Sequence, residues 1–180
     1  MQIEETPLPG VFVITPARHG DARGFFSESW NARRMREAGL HYDFVQDNQS
    51  FSKKGVIRAL HYQLGDYAQA KLVRVLQGKV LDVSVDLRPG SETFGNHVAV
   101  ELSHENRRQL FIPKGFAHGF IVLSQTAEFF YKCDNYYNPE SEGGIIYNDP
   151  DLGIDWKLSE TEMILSEKDA TLPRLKDARI

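Results

Sequence analysis

The chain has 180 residues, a formal charge of −4, and 41 % hydrophobic and 26 % charged residues. That length suits one domain with a sizeable core, and no basic run supports nucleic-acid binding. No apolar run approaches a membrane span, the start MQIEETPLPG lacks the marks of a signal peptide, and the lone Cys133 excludes an internal disulfide framework and fits a reducing cytoplasm.

In chain order, SESWNARRMREAG predicts a helix from Ser27 to Gly39, with Ser29 as its cap and Gly39 just past its end. Its arginines mark it as mostly solvated. From Phe44 onward the pattern is β. Leu81, Val83, Val85 and Leu87 alternate with Val80, Asp82, Ser84 and Asp86, the period-two pattern of a strand with one apolar face. Gly78 separates this run from KLVRVLQ, so residues 71–87 read as a hairpin. HVAVELS, RQLFIP, HGFIVLS and AEFFYKC read as further strands. After Cys133 the chain turns loop-rich, and SETEMILSEKD predicts one short helix in the tail. Many short strands with little helix between them predict a mainly β fold. The expectation is an antiparallel jelly-roll (cupin-like) barrel with a few short peripheral helices, as one domain over residues 1–180.

Two stretches, GVIRALHYQ and PKGFAHGF, frame a question of chemistry. Metal-binding cupins carry a glycine, five residues, His-x-His and a nearby Glu, followed later by Pro-x-Gly-x-x-His. Gly55 and His61 match the first motif, and Pro113, Gly115 and His118 match the second. Gln63 stands where the second histidine belongs, and Tyr67 and Ala68 stand where the glutamate belongs. Two histidines alone make a poor site for Zn²⁺ or Fe²⁺, so no metal is expected. His19, His41, His97 and His104 read as structural.

Lys71 shares a strand face with Val73 and Val75, which fits either a snorkelling side chain or a pocket lysine. Arg58 and His61 differ in parity. Both can reach one pocket only if the strand is bulged or twisted between them.

Taken in order, ARGFFSE, QDNQSFSKKGVIRALHYQ, KLVRVLQGKVLDVSVDLR, IPKGFAHGF, EFFYKCDNYYNPESEGGIIYNDPDLGIDW and LSEKD closely resemble the dTDP-4-dehydrorhamnose 3,5-epimerase family. One departure is Ala59, where that family usually has glycine. A single methyl group predicts a small local adjustment.

The resemblance implies a cytoplasmic isomerase of dTDP-L-rhamnose biosynthesis. It would epimerise C3 and C5 of dTDP-4-dehydro-6-deoxy-D-glucose, giving dTDP-4-dehydro-L-rhamnose, with neither metal nor cofactor. His61 is implied as base, Asp169 as its orienting partner, Tyr131 as proton donor from the other face, and Lys71 as stabiliser of the enolate oxygen. Arg23 and Arg58 are implied to grip the pyrophosphate, with Lys168 assisting. Tyr137 is implied to stack on thymine, with Phe26 as second choice. Glu28, Gln46, Asn48 and Glu142 match nucleotide-binding positions. His118 is implied to contact substrate; apart from the resemblance, Asp82, on the polar face of its strand, is a candidate partner. The family resemblance also implies a homodimer in which segments such as RGFFSE are exchanged. Two alternatives stand beside this reading: a relative inverting only one carbon of a dTDP-4-keto-6-deoxy sugar, and a metal-dependent cupin enzyme.

Overall fold

In a computed structural model of residues 1–180, the strands form two stacked antiparallel sheets that enclose an apolar interior. The strands are β1 (Gln2–Glu5), β2 (Phe12–Thr15), β3 (His19–Asp21), β4 (Gly24–Phe26), β5 (Gln46–Lys53), β6 (Ile57–Gln63) and β7 (Lys71–Gln77). They continue as β8 (Lys79–Asp86), β9 (His97–Ser103), β10 (Gln109–Ile112), β11 (Phe116–Val122), β12 (Thr126–Cys133) and β13 (Glu142–Gly144). One sheet runs β1-β2-β10-β7-β12-β5 and the other β13-β6-β11-β8-β9, while β3 and β4 pair only with each other. This is the expected jelly-roll barrel, with short helices α1 (Ala32–Glu37) and α2 (Glu167–Ala170) at its periphery.

Three layers of burial hold the barrel. Val73, Val75, Val80, Leu110, Phe120 and Phe129 fill the space between the sheets. Met35, from the otherwise exposed α1, closes the outside of the six-stranded sheet with Leu40, Leu72 and Phe111. Leu81, Val83 and Val85 face outward from β8, yet they are covered by Ile145, Leu152 and Trp156 from the loop-rich C-terminal third. The alternation in β8 therefore separates two buried faces. Its apolar side lies under the C-terminal segment, and Asp82, Ser84 and Asp86, all fully buried, occupy the other side.

Several expectations are corrected. Residues 71–87 are not a hairpin: β7 and β8 lie in different sheets. Gly78 (φ +83°) carries the chain from one to the other, packed so tightly that a Cβ there would lie 2.0 Å from the Thr126 carbonyl oxygen. The first helix begins later than expected. Asn31, not Ser29, caps it by accepting from the Arg34 amide, and Gly39 (φ +83°) follows its end as expected. The tail holds no single helix. A 3₁₀ turn over Glu160–Glu162 and α2 are separated by an extended segment in which Ile164 bridges to Val56. Strands β1 to β4 fall in a region where no strand was expected.

Candidate active site

A cleft of 590 Å³ opens between the sheets at one end of the barrel. His61 and Arg58 reach it from β6, His118 from β11, Lys71 from β7 and Tyr131 from β12, while Lys168 and Asp169 come from α2. His61 and Tyr131 thus stand on opposite sheets.

The β6 sequence alone does not bring Arg58 and His61 together; an irregular pairing does. His118 pairs with His61 and Phe120 with Arg58, so two steps along β11 match three along β6. The extra residue is the bulge that their parity demanded. Across it, Ala59 and Leu60 both turn to the outer core, while Arg58 and His61 both turn to the cleft. The methyl of Ala59 is accommodated by Gly119 opposite, where an added Cβ would meet the Ala59 Cβ at 2.5 Å.

His61 Nε2 lies 3.0 Å from an Asp169 carboxylate oxygen. Asp169 is buried, and the Ser166 hydroxyl, which caps α2, accepts from its amide. Burial alone would raise the Asp169 carboxyl. Contacts with His61, Ser166 and the Ala59 backbone outweigh it and hold the group below the usual carboxylate range. Nε2–H is thereby directed at Asp169, leaving Nδ1, which has no hydrogen-bond partner, with its lone pair free. Glu142 Oε1 is 3.7 Å from that nitrogen.

Tyr131 faces the cleft two residues from Phe129, and burial pushes its hydroxyl up, keeping it protonated. Lys71 resolves toward the pocket: its Nζ lies 6.0 Å from the centre of the Tyr131 ring. Burial pulls the Lys71 amine down against the opposing pull of Cys133, Asp82 and Glu142. His118 Nε2 sits 3.0 Å from both oxygens of the fully buried Asp82, the partner expected of it.

A second group surrounds Glu142, whose carboxylate accepts from the Tyr137 hydroxyl at 2.9 Å and from Lys168 Nζ at 2.7 Å. These bonds outweigh burial and hold Glu142 low, while raising Tyr137 and Lys168. Asn48 lines the cleft and accepts from Gln46, whose own carbonyl oxygen accepts from the Tyr137 amide. Both lie within β5, so they are not turn residues.

Arg23, Phe26 and Glu28 are not brought to this cleft. Arg23 pairs with Asp21, Glu28 contacts Arg34, and Phe26 is 70 % exposed on the β3–β4 hairpin.

Gln63 has a role that its sequence position did not reveal. Its amide donates to the carbonyls of Tyr67 and Tyr136, and its oxygen accepts from the Asn138 amide. It tethers the loop bearing Tyr137, so no part of it remains to act as a ligand. No group of three or more His, Cys, Asp or Glu is arranged to hold a metal ion. Phe120 and Phe129, stacked at 4.2 Å, form an apolar wall that was also missed. The period-two rule could have found it, since each lies two residues from a proposed site residue on its own strand.

Comparison with known proteins shows that the chain is similar to one family. The family model described as dTDP-4-dehydrorhamnose 3,5-epimerase matches residues 5–177. The chain is 52 % identical over 179 residues to the dTDP-4-dehydrorhamnose 3,5-epimerase of Salmonella typhimurium, covering 99 % of this chain and 97 % of that protein. A crystal structure of the same enzyme from Elizabethkingia anophelis is 55 % identical, with a TM-score of 0.95 over 98 % of this chain and 97 % of that one. The dTDP-6-deoxy-D-glucose-3,5-epimerase of Legionella pneumophila, solved in complex with dTDP-4-keto-L-rhamnose, is 54 % identical with a TM-score of 0.94, covering 98 % and 93 %. No helix is long and apolar enough to cross a membrane.

Proposed function

Because the chain belongs to the dTDP-4-dehydrorhamnose 3,5-epimerase family, we propose that it converts dTDP-4-dehydro-6-deoxy-D-glucose to dTDP-4-dehydro-L-rhamnose in dTDP-L-rhamnose biosynthesis. The observation that carries the assignment of roles is the pairing of His61 with buried Asp169 on one wall of a cleft whose other wall presents Tyr131 and Lys71.

The hydrogens on C3 and C5 are acidic because each lies beside the C4 ketone. His61 Nδ1 takes one of them; the electron pair of the broken C–H bond forms a C=C bond to C4, and the C=O π pair moves onto the ketone oxygen. Asp169 stabilises the resulting imidazolium, and the ammonium of Lys71 stabilises the enolate oxygen. Tyr131 returns a proton to the opposite face, inverting the carbon. Proton exchange with solvent then resets His61 and Tyr131 for the second carbon. No electron is gained or lost.

Arg58 and Lys168 supply cationic donors for the pyrophosphate, and Tyr137 offers its ring to thymine. Asn48, with Gln46 behind it, and Glu142 bond the nucleotide, while His118, held by Asp82, contacts the sugar. Arg23, Phe26 and Glu28 take part only if they come from a second copy. The wholly exposed β3–β4 hairpin, with Phe25 58 % exposed, supports a homodimer that exchanges this arm. The working unit is a single cupin-like domain over residues 1–180, acting in the cytoplasm.

Incubation with the keto sugar in deuterium oxide is expected to place deuterium at both C3 and C5. His61→Ala and Tyr131→Phe are expected to lower turnover by at least ~10²-fold while dTDP affinity stays nearly unchanged. Exchange confined to one carbon would establish a single-carbon epimerase, and no exchange by folded protein would remove the assignment.

A further inference from the structure

Strand β13 is the outermost strand of its sheet, so one side of its backbone has no strand partner. That side is not bare. The Arg179 guanidinium donates through one nitrogen to the Glu140 carbonyl at 2.9 Å and to the Glu142 carbonyl at 3.3 Å. The carbonyl of Arg179 itself accepts from the Tyr62 hydroxyl at 2.7 Å. Tyr62 is buried, and its ring lies against Gly143, where a Cβ would come within 2.3 Å of a ring carbon. Upstream, the Pro173 carbonyl accepts from the Ile146 amide at 2.8 Å, and the Leu175 amide donates to Asp149 at 2.6 Å.

The backbone of Glu142 is therefore fixed from both sides: by β6, through the pairs Glu142↔Gln63 and Gly144↔His61, and by the C-terminal residues. Its side chain is where Tyr137 and Lys168 meet. Arg179 itself does not line the cleft. Lys71 on β7 and Tyr131 on β12 stand on the opposite sheet, with ladder neighbours on both sides, while His61 on β6 is paired with His118 of β11 on one side and with Gly144 of the latched β13 on the other.

We propose that Arg179 is a positioning residue for nucleotide binding. It latches the edge strand so that Glu142 holds Tyr137 and Lys168 in place for the nucleoside diphosphate half of the substrate. This rests on the reading of the cleft given above. The latch acts first on affinity; Lys71 and Tyr131 stand on the opposite sheet and β6 keeps β11 on its other side, so the chemical step depends on it less.

The test compares Arg179→Ala, Arg179→Lys and Tyr62→Phe with the native enzyme, by calorimetric titration with dTDP and by steady-state kinetics. Loss of a charge-assisted bond predicts that Arg179→Ala raises the dTDP Kd and the KM about tenfold, with a smaller change in kcat. Arg179→Lys, which keeps a donor but not the planar fork, recovers part of that loss. Tyr62→Phe keeps the ring against Gly143 and shifts Kd in the same direction by less. Unchanged Kd and KM in Arg179→Ala would overturn the latch, as would a fall in kcat at unchanged Kd. Native enzyme that failed to bind dTDP would overturn the reading of the cleft and the latch with it, and the native control separates that result from the other two.

Discussion

Lys71 and Tyr131 share one environment, and burial moves their proton affinities in opposite directions. Lysine is charged when protonated, so burial pulls its pKa below the ordinary 10.5. Tyrosine is charged when deprotonated, so burial raises its pKa above 10.0. In the proposed mechanism both work protonated, one as an electrostatic stabiliser and one as an acid. Burial thus favours loss of the Lys71 proton and opposes loss of the Tyr131 proton, and the expectation is that the alkaline fall in kcat belongs to Lys71. In Lys71→Arg, whose guanidinium stays charged, the residual activity is expected to persist to higher pH than in the native enzyme. A pH–rate profile measured by deuterium incorporation checks this, and an alkaline limb that does not move would assign it to another group. The sequence left Lys71 open between solvent and pocket for a physical reason. Strand parity states which residues share a face, but not what that face meets. The same gap hid the environment of β8, whose polar residues read as an ordinary half-exposed strand and in fact lie fully buried, Asp82 against His118.

At the scale of elements, local rules worked where the cause was local. The parity conflict between Arg58 and His61 required a bulge, and the β6–β11 register contains one. The glycine after the first helix was legible because the chain there turns into the left-handed region that glycine favours. The supposed hairpin at 71–87 failed because a turn residue marks a change of direction without naming partners. Strand β8 pairs with β9 and β11, the latter thirty or more residues away in sequence. Asp169 was placed in a polar tail and is buried, because the tail folds back over β6 to deliver it. The bulge itself offers a stability test at Gly119. A Cβ there would stand 2.8 Å from both the Ala59 Cα and the Arg58 carbonyl oxygen, so backbone and not merely a flexible side chain must yield. Gly119→Ala is expected to destabilise the fold by about 2 kcal/mol, as small-to-large changes in packed sites do. By shifting Arg58 and His61 it should also weaken dTDP binding. Urea denaturation read beside dTDP titration checks both; a native midpoint with native affinity would mean that the bulge tolerates the methyl group.

For the whole molecule, the single chain brings the proposed base, acid and stabilising cation to one cleft, but leaves three of its proposed binding residues elsewhere. Arg23, Phe26 and Glu28 lie on or beside an arm whose two strands pair only with each other and are exposed throughout. An arm with two large exposed aromatics is costly to leave in water, and the cleft lacks the second arginine expected to grip a pyrophosphate. The proposed exchange between two copies would resolve both problems, because a two-fold axis that sends one arm outward must bring the other inward. This leads to a complementation experiment. Arg23→Ala lacks a proposed phosphate ligand but keeps His61, and His61→Ala lacks the base but keeps Arg23. Each alone is expected to be nearly inactive. If the two are unfolded together and refolded as a mixture, random pairing makes half of the dimers mixed. In a mixed dimer, the cleft with native His61 receives an arm with native Arg23, while the other cleft carries both defects. One cleft in two is intact in half of the dimers, so the mixture should regain roughly a quarter of native activity. If each chain instead supplied its own Arg23, no mixed dimer could hold an intact cleft, and the mixture would show only the mean of its two inactive components.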